Sequence, residues 1–280
     1  MALRIDPIDT RGLFQPLALE FGRLLGALAP AAWTRSTVAP AWRVRDVVAH
    51  LTDTMLRRLS AQRDGHQPPP PTTPFTSDNE FVAFINGLNA SWVAASQRLS
   101  PALLSQLFTF VAAEHFVLME SLPLDAPPLY PVSWAGADGN RGWLDTGREF
   151  TEQWHHQMQV RDALNGPAPS DPAWLHAVLG VAMCGLPHAY RHTDASDGTS
   201  IAVIVHGDAG GAWRLTRERD EWVLAEGTGA REATARCDMA DDTAWRLLFN
   251  ALPRERLAEI RGSGEVSLLE PLTAARSVVV

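Results

Sequence analysis

A chain of 280 residues, 46% hydrophobic and 20% charged, is long enough for two ordinary domains and a sizeable core, so disorder is not the expectation. Its net charge of −8 and pI near 5.6 argue against nucleic acid or an anionic membrane as main partner, because both reward basic patches; a small-molecule substrate fits better. All 24 positive charges are arginine, which excludes P-loop, Schiff-base and Ser-Lys chemistry.

The N-terminal run Met1-Ala-Leu-Arg-Ile-Asp-Pro carries charge and proline where a signal peptide would need an apolar stretch. Thr10 to Leu28 places Leu13, Leu17, Leu19, Phe21, Leu24, Leu25 and Leu28 near helical spacing, with Asp9 or Thr10 as the expected cap. A proline-punctuated loop carrying Trp33 and Trp42 follows. From Arg43 to about Asp64, Val44, Val47, Val48, Leu51, Met55 and Leu59 predict a second amphipathic helix with His50 at the edge of its buried face. The tract Pro68 to Pro74 cannot be helical and reads as an extended connection or lid. Two further helices are expected, from Ser77 or Asp78 to about Leu99 and from Pro101 to about Leu122, and then a loop or hairpin over Pro123 to Gly142.

The next helix, Glu149 to Leu164, puts Glu149, Glu152 and His156 on one stripe that continues through Val160, Ala163 and Leu164. Carboxylates and an imidazole aimed where apolar side chains aim need compensation, and a metal ion is one way to supply it. The plain alternative is a solvated face with an i,i+4 contact between Glu152 and His156, and on pattern alone the two readings stand level. Beyond Leu164, Asn165-Gly-Pro-Ala-Pro stops the helix and marks a domain boundary, giving a helical domain over 1–168 and an α+β domain over 169–280. Trp174 to Tyr190 reads as one apolar helix whose longest apolar run, Val178 to Leu186, is too short to cross a bilayer, so a soluble, cytoplasmic protein is expected. Strands are predicted over Ser200–His206, Ala212–Arg217, Glu221–Ala225 and Glu232–Met239, a capped helix over Asp241–Leu252 and a last strand at Ser277–Val280, which together suggest an antiparallel sheet. Cys184 and Cys237 form neither a disulfide framework nor a CxxC site, and no GxSxG, GxGxxG, HExxH or EF-hand pattern occurs.

Two stretches, Trp42-Arg-Val-Arg-Asp-Val-Val-Ala-His50-Leu51 and Glu152-Gln-Trp-His-His156-Gln-Met-Gln-Val-Arg-Asp-Ala-Leu164, resemble the hallmark stretches of the mycothiol-dependent maleylpyruvate isomerase family. Gly211-Ala-Trp213, Trp222, Asp242-Thr-Ala-Trp245-Arg-Leu-Leu and Gly262-Ser-Gly264 extend the resemblance through the C-terminal half. The resemblance implies a DinB-like four-helix bundle followed by a sterol-carrier-like α+β domain. It also implies a divalent ion, zinc first among them, held by His50, Glu152 and His156, with Glu149 as a bystander or second-shell group. Mycothiol, or another low-molecular-weight thiol, would then take part in cis–trans isomerisation of a small acid or in thiol transfer. An assisting arginine is implied as well, with Arg214, Arg217 and Arg246 as alternatives. The rival from another class is a non-catalytic metal- or ligand-binding regulatory protein on the same fold.

Overall fold

Phe14, Leu17, Phe21 and Leu25 recur at helical spacing and all four are buried, which fixes one face of α1 (Phe14–Gly26) against its neighbours. The computed structural model describes residues 2–39, 41–66, 75–229 and 232–277, with the side chains of residues 78 and 79 left out. Neither of the chain's two compact units is a continuous segment: one comprises Thr10–Leu122 with Glu152–Ser170, the other Met1–Asp9, Pro123–Thr151 and Asp171–Val280.

The first unit is the helical one. It contains α1, α2 (Val44–Arg58), α3 (Asp78–Ser96), α4 (Pro101–Ser121) and the later part of α5 (Gly142–Leu164). The expected cap of α1 by Asp9 or Thr10 does not form; a 3-10 turn at Arg11–Leu13 leads in, and Leu13 precedes the helix without a side-chain cap. In α2 the Asp46 carboxylate accepts from the Arg43 backbone N–H at 2.9 Å, satisfying one of the donors that a helix start leaves over. This helix ends at Arg58 in a short π turn, Leu59–Arg63. Ser77 and Ser100 cap α3 and α4, accepting from the N–H groups of Glu80 and Leu103 at 3.3 and 3.2 Å. Helix α4 packs on α1 and α2, and α3 packs on α2. Among the described residues α4 is the one helix long and apolar enough to cross a membrane, yet Leu104, Phe108, Val111, Ala112, His115, Leu118 and Met119 are buried. At its far end α5 stops at Asn165, whose φ of 53° is the left-handed turn that asparagine tolerates, and Gly166 N–H closes on Arg161 C=O at 2.8 Å.

One side chain in this unit breaks the usual rule for buried polar groups. Gln157 on α5 is fully buried, and both its amide oxygen and its amide nitrogen have no hydrogen-bond partner. Desolvating an unsatisfied polar group costs about 1–3 kcal/mol, so Gln157→Leu is expected to stabilise the protein by about that amount. Chemical denaturation checks it, and a midpoint that stays put or falls contradicts it.

In the second unit the sheet runs in the order β1-β4-β3-β2-β5-β6, built from Leu3–Arg4, Ser200–His206, Gly211–Glu218, Glu221–Glu226, Ala235–Ala240 and Arg261–Gly264 as β1 to β6. It is mixed rather than antiparallel: β1 pairs parallel with β4 and β2 parallel with β5, while the other pairs are antiparallel. Tight turns force β2, β3 and β4 into a meander, whereas β5 follows a longer connection back to the free edge of β2 and so arrives in the same direction. The predicted helix Trp174–Tyr190 breaks into α6 (Pro172–Met183) and α7 (Leu186–Ala189) at Cys184-Gly185, just before Pro187. Helices α8 (Asp241–Leu248) and α9 (Glu270–Ala274) follow. No hairpin forms over Pro123 to Gly142; a 3-10 segment, Ser133–Gly139, occupies it. The expected lid at Pro68 to Pro74 lies outside the described residues, as do 278–280 of the expected last strand, and Ser277 is a bend.

Candidate metal centre

The three candidate ligands all sit on helices, which keeps their aim. His50 lies one turn after the capping Asp46 and between buried Val47 and Leu51, with only 4% of its surface exposed. Two bonds from α3 steady this part of α2: the Trp92 indole N–H donates to Ala49 C=O at 2.8 Å, and the Gln97 amide donates to Asp46 at 2.7 Å. On α5, Glu152 and His156 are one turn apart and share a face.

Tertiary packing brings the three together. Glu152 Oε1 lies 3.1 Å from His50 Nε2 and 3.1 Å from His156 Nε2. One ligand atom from each of the three residues falls within 4.8 Å of the others, and this is the metal-ligating group found among the described residues. The His50 and His156 rings meet edge to face at 4.6 Å. Trp42 covers them, its ring centred 4.8 Å from that of His50 and 6.1 Å from that of His156. Two imidazole nitrogens and one carboxylate oxygen are a donor set that zinc accepts, and the ligand atoms of a tetrahedral zinc lie roughly 3.3 Å apart. The residues present therefore fit a divalent ion, with a position left over for a water or a thiol.

In the metal-free chain the three groups are coupled electrostatically. Burial would raise the Glu152 carboxyl, but the charge and hydrogen bonds of His156 and the bond from His50 outweigh it and hold the group well below the ordinary carboxylate range. Burial also opposes the His156 imidazolium, yet Glu152 overcomes it and lifts that pKa above the usual histidine value. His50 moves the other way, pulled down by burial and then by the charge of His156.

His155 and Gln159 complete the neighbourhood. Gln159 Oε1 lies 2.8 Å from His156 Nδ1, and its Nε2 lies 3.3 Å from His155 Nε2. Burial, followed by the nearby His156 charge, pushes His155 down to about 3, so its ring is neutral at ordinary pH. Sequence reasoning passed over Trp42, His155 and Gln159, although the i,i+3 and i,i+4 spacing from the two histidines to Gln159 is a readable signal.

Other candidates fall elsewhere. Glu149, one turn before Glu152, meets Arg148 Nη2 at 2.6 Å and does not join the cluster. Arg214 donates to Ser200 Oγ at 2.9 Å, Arg217 to Asp220 C=O at 3.0 Å, and Arg246 pairs with Asp242 at 3.0 Å while lying over the Trp245 ring. His115 lies elsewhere, packed on the edge of Phe14 with its Nδ1 3.3 Å from the Gln153 amide. Both cysteines are free and buried, and burial raises both thiols, Cys237 to about 12, which disqualifies them as nucleophiles.

The N-terminal domain of mycothiol maleylpyruvate isomerases matches residues 14–161, more than half of the chain. The crystal structure of the mycothiol-dependent maleylpyruvate isomerase superposes with a TM-score of 0.53 over 92% of this chain and 93% of that one, at 12% identity. The same enzyme carrying a histidine-to-alanine substitution gives the same TM-score of 0.53 and 12% identity over the same 92% and 93%. At that identity the likeness establishes the fold. A search of curated protein sequences finds no match.

Proposed function

The chain belongs to the mycothiol maleylpyruvate isomerase family, and from that membership and the His50–Glu152–His156 cluster we propose a metal- and thiol-dependent enzyme acting on a small unsaturated acid. The reaction it fits is cis–trans isomerisation of maleylpyruvate or a close relative, with thiol transfer to such an acid as the related outcome. The observation that carries this reading is a single carboxylate oxygen held 3.1 Å from two histidine nitrogens.

His50, Glu152 and His156 would hold the ion, and Trp42 would keep water off the two imidazole rings. When bound, a divalent ion lowers the pKa of a thiol and supplies thiolate near neutral pH. A thiolate that adds to the conjugated double bond moves its electron pair onto the neighbouring carbonyl as an enolate and leaves a single bond; after rotation about that bond, collapse of the enolate expels the same thiolate and gives the trans acid. Three protein ligands rather than four favour an open, catalytic position over a closed structural one. Zinc, mycothiol as the thiol and a cytoplasmic setting are the readings that fit the donor set and the family.

Metal analysis of the purified protein is expected to find one divalent ion per chain. Maleylpyruvate turnover is then expected only with a low-molecular-weight thiol present. Protein that neither carries nor takes up a divalent ion refutes the metal site. A metal-loaded protein inert toward maleylpyruvate with every thiol tried refutes the isomerase.

A further inference from the structure

We propose that Gln159 is a positioning residue that holds His156 with its proton on Nδ1, so that Nε2 faces Glu152 and His50 as the ligand atom. The inference rests on the reading of His156 as a ligand, and its argument is one of donors and acceptors. In the metal-free chain the Glu152 carboxylate, 3.1 Å from His156 Nε2, only accepts, so Nε2 gives up a proton when a metal binds, and what Gln159 governs is the proton on the other ring nitrogen. An amide oxygen only accepts. His156 Nδ1, 2.8 Å from Gln159 Oε1, therefore has to be the donor and carry the proton. An amide nitrogen only donates, so His155 Nε2, 3.3 Å from Gln159 Nε2, has to be the acceptor.

The two ends of the amide are thus divided between the two rings. With the amide reversed, its NH₂ group would meet His156 Nδ1 and favour the tautomer protonated on Nε2, which has no lone pair left for a metal. Burial makes the choice binding: Gln159, His156 and His155 are 8%, 8% and 5% exposed, so water is in no position to replace either bond. The frame is rigid too, since all three side chains project from α5 within about one turn. Partners of this kind set the tautomer and ring orientation of metal-bound histidines, and losing one typically weakens metal binding about 10–100-fold.

The test uses the whole chain. In metal-free, ¹⁵N-labelled wild type, long-range ¹H–¹⁵N correlation is expected to show a proton on His156 Nδ1, and in Gln159→Leu that proton is expected to exchange rapidly with water. Zinc affinity, measured by competition with a chromophoric chelator, is expected to fall about 10–100-fold in Gln159→Leu. Gln159→Glu, which keeps an acceptor for the Nδ1 proton, is expected to stay within a few-fold of wild type. A metal-free wild type with the His156 proton on Nε2 alone overturns the proposal, as does a folded Gln159→Leu that binds zinc as tightly as wild type. Failure of wild type to bind zinc at all counts against the metal site, whereas the position of the Nδ1 proton in metal-free protein still decides the role of Gln159.

Discussion

Glu152→Gln is expected to weaken divalent-metal binding by more than about 100-fold and to lower thiol-dependent turnover in step. The bound comes from comparison: even partners that merely orient a metal-bound histidine are worth about 10–100-fold, and Glu152 would contribute a ligand atom itself. It is also the one anionic member of the cluster, its Oε1 lying 3.1 Å from each histidine nitrogen. The substitution keeps the shape and takes away the charge, so it separates electrostatics from packing. Chelator competition measures the affinity, and a steady-state assay at saturating metal measures the turnover. Unchanged affinity in a folded Glu152→Gln protein would remove Glu152 from the ligand set.

Acid is expected to destabilise the metal-free protein between about pH 6.5 and 4.5, mainly through His155 and His50. His155 has a folded pKa of about 3 against roughly 6.5 in an unfolded chain. Below pH 6.5 the unfolded state therefore binds one more proton than the folded state, and stability falls by roughly 1.4 kcal/mol per pH unit from this group alone. The His50 pKa is lowered as well, so its contribution has the same sign. His156 is raised, and its stabilisation is complete below about pH 6.5 and is lost only as pH rises through the folded value. Glu152 is depressed, and its contribution is complete above about pH 4.5 and is lost only as pH falls through the folded value. Of these four groups, His155 and His50 are the ones that lower stability as pH falls through the window. Denaturation of wild type and His155→Phe across it is expected to give slopes differing by roughly 1.4 kcal/mol per pH unit; parallel slopes would show that His155 charges freely in the folded state.

Much of the fold was legible because it is written in local periodicity. The stripe Leu17, Phe21, Leu25 of α1 and the stripe Val44, Val47, Val48, Leu51, Met55 of α2 are buried as their spacing predicts. The strands Ser200–His206 and Glu221–Glu226 begin where the predicted strands begin. Where the sheet differed, long-range pairing was the cause. The two residues of β1 make a strand only because β4 is beside them, and no alternation within Leu3–Arg4 announces it. The direction of β5 depends on which side of β2 it returns to, and the sequence of β5 is compatible with either. Likewise, nothing in Pro123–Thr151 states that it clusters with the C-terminal half.

The Glu149 to Leu164 helix shows the same division in the site itself. By itself the sequence put Glu152 and His156 on one face and, through a resemblance, paired them with His50, because i,i+4 spacing and a matched stretch are properties of the chain alone. It left Glu149 as a companion, and no role in the site was assigned to Gln159 or Trp42, although the spacing of Gln159 from the two histidines was readable. Tertiary structure decided that His50 comes within 3.1 Å of Glu152 and that Trp42 covers both imidazoles, whereas the turn of Glu149 to Arg148 and the division of the two arms of Gln159 between His156 and His155 are contacts within α5. Periodicity specifies the direction in which a side chain leaves its helix. What it meets there, and so which proton or charge it holds, is set by groups that only packing brings within hydrogen-bond reach.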